Sequence, residues 1–124
     1  MSSELAKRQL PDGYQRPGLV RVSPSALKQA QDFSEAVQKL RPGEEWVVVF
    51  DWATARSYRN KNETIEHDLG PGLDLGAAER HEVPEEVIES NGDFKFAVQI
   101  PVEILQKSLE RLIDIDENQK LILR

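Results

Sequence analysis

The stretch Leu19-Val20-Arg21-Val22-Ser23-Pro24-Ser25-Ala26-Leu27 changes its period half-way along. Its first four residues, apolar and partly β-branched, read as a short strand. Ser23 then offers an N-cap hydroxyl, and Pro24 suits the first helical position, where a fixed φ and a missing N–H cost nothing. Beyond it Ala26, Leu27, Ala30, Phe33, Val37 and Leu40 recur at helical spacing until Arg41-Pro42-Gly43 stops the pattern. A strand followed by one long helix over about 24–40 is therefore expected.

Working outward, Glu45-Trp46-Val47-Val48-Val49-Phe50-Asp51-Trp52 is β-branched and aromatic on both faces, as in a central strand covered on each side. A short strand at 56–58 and a turn follow. Gly70-Pro71-Gly72-Leu73-Asp74-Leu75-Gly76 holds three glycines and a proline, which predicts an irregular loop, with Leu73 and Leu75 alternating as in a short strand inside it. His81-Glu82-Val83 reads as another strand, and residues 84–88 as one helical turn. Ser90-Asn91-Gly92-Asp93 is a hairpin signal. It leads into Phe94, Phe96, Val98 and Ile100 on one face and Lys95, Ala97 and Gln99 on the other. Pro101 opens a second, shorter helix over about 101–111, with Val102, Leu105, Leu109 and Leu112 on one stripe. Ile113-Asp114-Ile115 and Leu121-Ile122-Leu123 form a closing hairpin. Helices set apart around a largely antiparallel or mixed sheet mean a β-rich α+β fold. Residues 1–18 read as a flexible N-terminal arm, with a short helix near residues 5–10, and residues 19–124 as a single domain.

Composition narrows the chemistry. The 124 residues include no cysteine, so disulfides and thiolate ligands are excluded. No apolar run approaches the roughly 20 residues that span a bilayer, and no long apolar segment marks a secretory signal. A cytoplasmic protein without a membrane partner is expected. Asn62-Glu63-Thr64 matches a glycosylation sequon and is read as chance on that basis. Net charge is −6, from 22 acidic and 16 basic residues, which repels phosphate backbones. The one local basic excess, Arg56, Arg59 and Lys61, reads as a solvated loop, so no nucleic-acid partner is expected.

No catalytic residue can be assigned. His67 and His81 stand 14 positions apart, which fits no ligand motif, though a weak metal site recruiting both with Asp68 and Glu82 is an alternative. Ser23 and Ser25 are helix-start residues, and no G-x-S-x-G elbow occurs. The glycine-rich loop lacks the Gly-Lys-Ser/Thr of a phosphate cradle, and Asp74 would repel phosphate. Trp46 and Trp52 share a strand face. Trp52, at the strand's end and close to Arg56, Tyr58 and Arg59, is the candidate binding surface, because aromatic and arginine residues together favour interface hot spots.

The order of elements resembles a known family. Val20-Arg-Val-Ser23-Pro-Ser-Ala26 is similar to the opening strand and helix cap of the A-type iron–sulfur carriers, the HesB/IscA-like family. Residues 46–50 are similar to the family's second strand. Phe96-Ala-Val-Gln-Ile-Pro101, residues 102–109 and Leu112-Ile-Asp114-Ile resemble its late strand, short helix and following strand. The resemblance covers residues 19–124 and implies a HesB-like domain, β-rich with a few helices, and a self-associating surface. The family's Gly-Cys-x-Gly segment reads here Ala53-Thr-Ala-Arg56-Ser-Tyr58, and its closing Cys-x-Cys has no counterpart up to Arg124. Thiolate suits a site to iron–sulfur clusters, so no ligand residue carries over and no cofactor is expected. The expected function is a non-catalytic binding or accessory protein with a protein partner or self-association. The alternatives are the histidine–carboxylate metal protein or enzyme, and a structural subunit of an oligomer.

Overall fold

The Ser23-Pro24 switch sets the first two elements of the computed structural model, which describes residues 13–58, 62, 64, 65, 67, 68 and 70–124. Strand β1 (Arg21–Val22) leads into helix α1 (Pro24–Leu40), and the Ser23 hydroxyl accepts the Ala26 N–H at 3.1 Å. Ala26 and Ala30 are fully buried, and their small side chains let the helix lie close against the sheet. The later elements are β2 (Trp46–Ala53), β3 (Ser57–Tyr58), β4 (His67–Asp68), β5 (Gly72–Glu79), β6 (Glu89–Asn91), β7 (Phe94–Gln99), α2 (Val102–Lys107), β8 (Leu112–Ile115) and β9 (Leu121–Leu123).

The main sheet has the order β5-β2-β7-β6. Strand β2 runs antiparallel to β5, from Trp46 opposite Glu79 to Ala53 opposite Gly72, and parallel to β7, from Val48 opposite Phe96 to Asp51 opposite Gln99. A second sheet has the order β1-β8-β9, and β3 with β4 forms a separate antiparallel pair. Two helices with two mixed sheets make a β-rich α+β fold. Val48, Phe50, Phe96, Val98 and Ile100 pack with Ala26, Ala30 and Ile113 in the larger core. Val47 and Ala97 face the other way, against Val83 and Val87. The apolar character of β2 on both faces thus reflects cover on both sides.

Four expectations are corrected. Residues 70–76 are expected as an irregular loop holding only a short strand at Leu73 and Leu75, but Gly72–Glu79 is an eight-residue strand, because the full length of β2 supplies its ladder. His81-Glu82-Val83 is not a strand. Arg80–Glu82 and Glu85–Val87 are short 3-10 turns that carry Val83 and Val87 onto the second core. Helix α2 ends at Lys107, not near 111. The Ser108 hydroxyl accepts the Arg111 N–H, Arg111 takes φ +49°, and the Glu110 N–H donates to the Arg124 carbonyl, all incompatible with a further helical turn. Leu105 is buried, but Leu109 is 98% exposed and Leu112 belongs to β8. Finally, the arm expected over 1–18 is docked from Gly13 on. The Ile100 N–H donates to the Gly13 carbonyl and the Gln15 N–H to the Val98 carbonyl, both at 2.9 Å. The buried Gln15 amide also donates to the carbonyls of Gly13 and Ile100 at 2.8 and 2.6 Å. Residues 5–10 lie outside the described residues.

One side chain joins the second sheet to the helix start. Asp114 accepts Arg124 Nε at 2.9 Å on Oδ2 and the Ile115 N–H on Oδ1, and the Ser23 hydroxyl also reaches its carboxyl. The Arg124 bond, then the Ser23 and Ile115 bonds, hold its pKa down from 3.8 to about 2. A folded-state value below the unfolded one gives stability that is present above the unfolded value and lost as pH falls through the folded one. Carboxyl NMR titration is expected to find the Asp114 midpoint near that depressed value. Acid unfolding of Asp114→Asn should lose the corresponding limb of the pH profile, and an ordinary midpoint for Asp114 would refute this.

Candidate functional site

Where β2 runs past the end of its pairing with β7, Trp52 continues the face of Val48 and Phe50 and packs half-buried against the larger core. Asp51 accepts the Trp52 N–H on Oδ1 at 2.8 Å, which fixes the strand end. Trp52 is a wall shared by two open grooves. One, of about 520 Å³, is lined by Asp51, Gln99, Pro101, Val102 and Glu103. The other, of about 410 Å³, is lined by Arg56, Leu73, Ile104, Lys107, Leu121 and Leu123. The first is acidic at its rim and the second apolar with basic groups. Burial, then the negative charges of Asp51 and Glu82, push the Tyr14 hydroxyl up from its ordinary value.

Arg56 is held by backbone. Its Nε donates to the Gly70 carbonyl at 3.0 Å, Nη1 to Leu73 at 3.1 Å and Nη2 to Pro71 at 3.2 Å. The planar guanidinium suits such a fork of acceptors. Gly70 makes the turn that presents these carbonyls, with φ +70° and its N–H on Asp68 Oδ1 at 2.8 Å. Gly72 is required by the clamp itself, since a Cβ there would stand 2.5 Å from Arg56 Cζ.

Of the residues singled out in the sequence, Trp52 and Arg56 therefore meet at one groove. Tyr58 pairs through its backbone with His67. The side chains of Tyr58 and His67, and all of Arg59, lie outside the described residues. His67 precedes the start of β5 and His81 follows its end, with the strand's length of about 23 Å between their places in the chain. His81 stands instead beside Glu79, with Nε2 3.3 Å from Oε2, and Glu82 brings a third donor atom within 4.8 Å of the others. All three side chains are at the surface, and an acidic surface often carries such groups without an ion. Lys107 and residues 121–123, which line the Trp52 groove, carry no sequence signal for it. They reach it through the short α2 and the second sheet. Among the described residues no helix is long and apolar enough to cross a membrane.

No family model, curated protein or solved structure matches this chain. A reading of its function rests on the residues themselves.

Proposed function

We propose that the chain is a non-catalytic binding or accessory domain of the cytoplasm, built like the A-type iron–sulfur carriers but holding no cluster, with the Trp52 groove as its protein-binding surface. The observation that carries this reading is Arg56. In the segment where the carriers place a thiolate, this chain has a guanidinium bound to three backbone carbonyls. A cation there repels iron, and neutral carbonyls do not replace sulfur as cluster ligands. The element order also agrees: a strand and long capped helix, a central strand, then a late strand, short helix and strand. An open groove with apolar walls and a basic rim suits a protein surface better than an enclosed small molecule.

A second reading is favoured by the cluster of Glu79, His81 and Glu82, which could hold a divalent cation. One experiment separates the two. Protein purified without a tag is reconstituted anaerobically with iron and sulfide and analysed for metals. The expected product is colourless and iron-free. The bait Lys107→Glu, altered at an exposed position, should then lose a partner that the unaltered chain captures, without change in melting temperature. A stable cluster would overturn the first reading. Stoichiometric zinc that disappears in His81→Ala would establish the second.

A further inference from the structure

Asn91 and Asn118 are both exposed and sit in different turns. Asn91 ends β6 opposite Phe94, and Gly92-Asp93 make the turn into β7. Asn118 lies in the turn between β8 and β9. Asparagine is among the labile residues of proteins. Its side-chain amide can be attacked by the backbone nitrogen of the next residue, so the state of that nitrogen decides its fate. After Asn118 the nitrogen is that of Gln119. It donates to the Asp116 carbonyl at 3.0 Å, and a side chain stands beside it. After Asn91 the nitrogen is that of Gly92. It makes no backbone hydrogen bond of the turn among the described residues. Gly92 has no side chain, and a Cβ placed there would meet nothing within 4 Å, so the approach is open. In the sequence the other asparagines precede Lys61, Glu63 and Gln119, and Asn91 alone precedes glycine.

We propose that Asn91 is a modification site of the folded chain, where the Gly92 nitrogen closes on the side-chain amide and deamidates it. The nitrogen bonds to the amide carbon, and the bond from that carbon to the amide nitrogen breaks. Ammonia leaves with the Gly92 proton, and a five-membered imide remains. Water then opens the imide at either carbonyl, which gives aspartate or isoaspartate. Closure requires the Asn91–Phe94 pair to open. That pair is the last of a three-residue edge strand, and such ends open without global unfolding. Isoaspartate carries the backbone through one extra methylene. The Ser90–Lys95 and Glu89–Phe96 pairs then lose their register. Glu89 Oε1 accepts the Gly18 N–H at 3.2 Å, so the disturbance reaches Gly18 as well.

The test incubates the full chain in buffer and in urea, at neutral and at mildly alkaline pH. Each asparagine is followed by peptide mass spectrometry, with fragmentation that tells isoaspartate from aspartate. In the folded chain Asn91 is expected to convert first, to both products. The rate should rise with pH, because the attacking nitrogen must lose its proton. Folding should slow Asn118 more than Asn91, since the Gln119 nitrogen is tied to Asp116. Amide NMR of the converted chain should show shifts at Gly18, Lys95 and Phe96. Asn91→Gln, which would have to close a larger ring, should lose the isoaspartate at this position. Asn91 left intact in the folded chain under conditions that convert it in urea, Asn118 converting before it, or equal protection of the two by folding would overturn the proposal.

Discussion

Arg56→Ala and Gly72→Ala are each expected to destabilise the fold by about 1–3 kcal/mol, and the double variant by little more than either alone. Arg56 donates to the carbonyls of Gly70, Pro71 and Leu73, bonds in which the donor is charged. Removing it leaves three acceptors at the start of β5 without that donor. Adding a methyl group at Gly72 reaches the same end from the other side, because a Cβ would lie 2.5 Å from Arg56 Cζ and 2.9 Å from Nη1. The guanidinium is the far end of a flexible side chain, so it gives way and the backbone does not. The cost is then the lost clamp, not strain. Gly72 has no positive φ, so alanine suits its backbone. In the Arg56→Ala background, Gly72→Ala should be neutral, or stabilising by about 0.4–1 kcal/mol through the unfolded chain. Arg56→Lys should recover little, since a point charge does not fit a fork of carbonyls. Urea unfolding of the four species measures the coupling. Additive losses would show that Gly72 is needed for some other reason.

That couple also marks the limit of what the sequence discloses. Periodicity and capping read well wherever one element decides its own shape. The Ser23-Pro24 start, the helix to Leu40, the two-faced β2 and the Asn91-Gly92 turn, with Gly92 at φ +62°, all follow from local chemistry. Gly72 and Gly76 read locally as loop residues. The partners that make them strand residues lie far earlier on β2, Ala53 opposite Gly72 and Val49 opposite Gly76. Leu109 completes a helical stripe in the sequence, yet the chain leaves the helix before it, because Ser108 and Glu110 both bond to Arg124. Gln15 looked like part of a polar arm and is a buried pin on the edge of β7. Of the candidate surface, Trp52 and Arg56 were legible as an aromatic–arginine pair. The role of Arg56 as a clamp was not, because its acceptors are main-chain carbonyls that no residue type announces.

The largest single loss is expected at Phe50. Its side chain is fully buried on the central strand, between Leu75 of β5 and Val98 of β7 in register. Its ring meets the Phe96 ring edge-on, with centroids 5.7 Å apart and planes at 90°. Phe96 in turn stacks near Phe94, at 5.7 Å and 21°. Truncation to alanine removes the transfer energy of a phenyl group and leaves a cavity whose walls belong to both neighbouring strands. Those walls are pinned by ladders on each side, so they cannot collapse inward. The expected cost of Phe50→Ala is about 3–5 kcal/mol, a large share of the 5–15 kcal/mol that holds a typical domain together. Leu109→Ala is the matched control: a large apolar residue deleted at a position 98% exposed should change stability by less than about 0.5 kcal/mol. Thermal and urea unfolding of both variants give the comparison. A comparable loss at Leu109 would mean that α2 runs on as the apolar stripe of the sequence suggests. The groove beside Trp52, which Ile104 and Lys107 help to line, would then need redrawing.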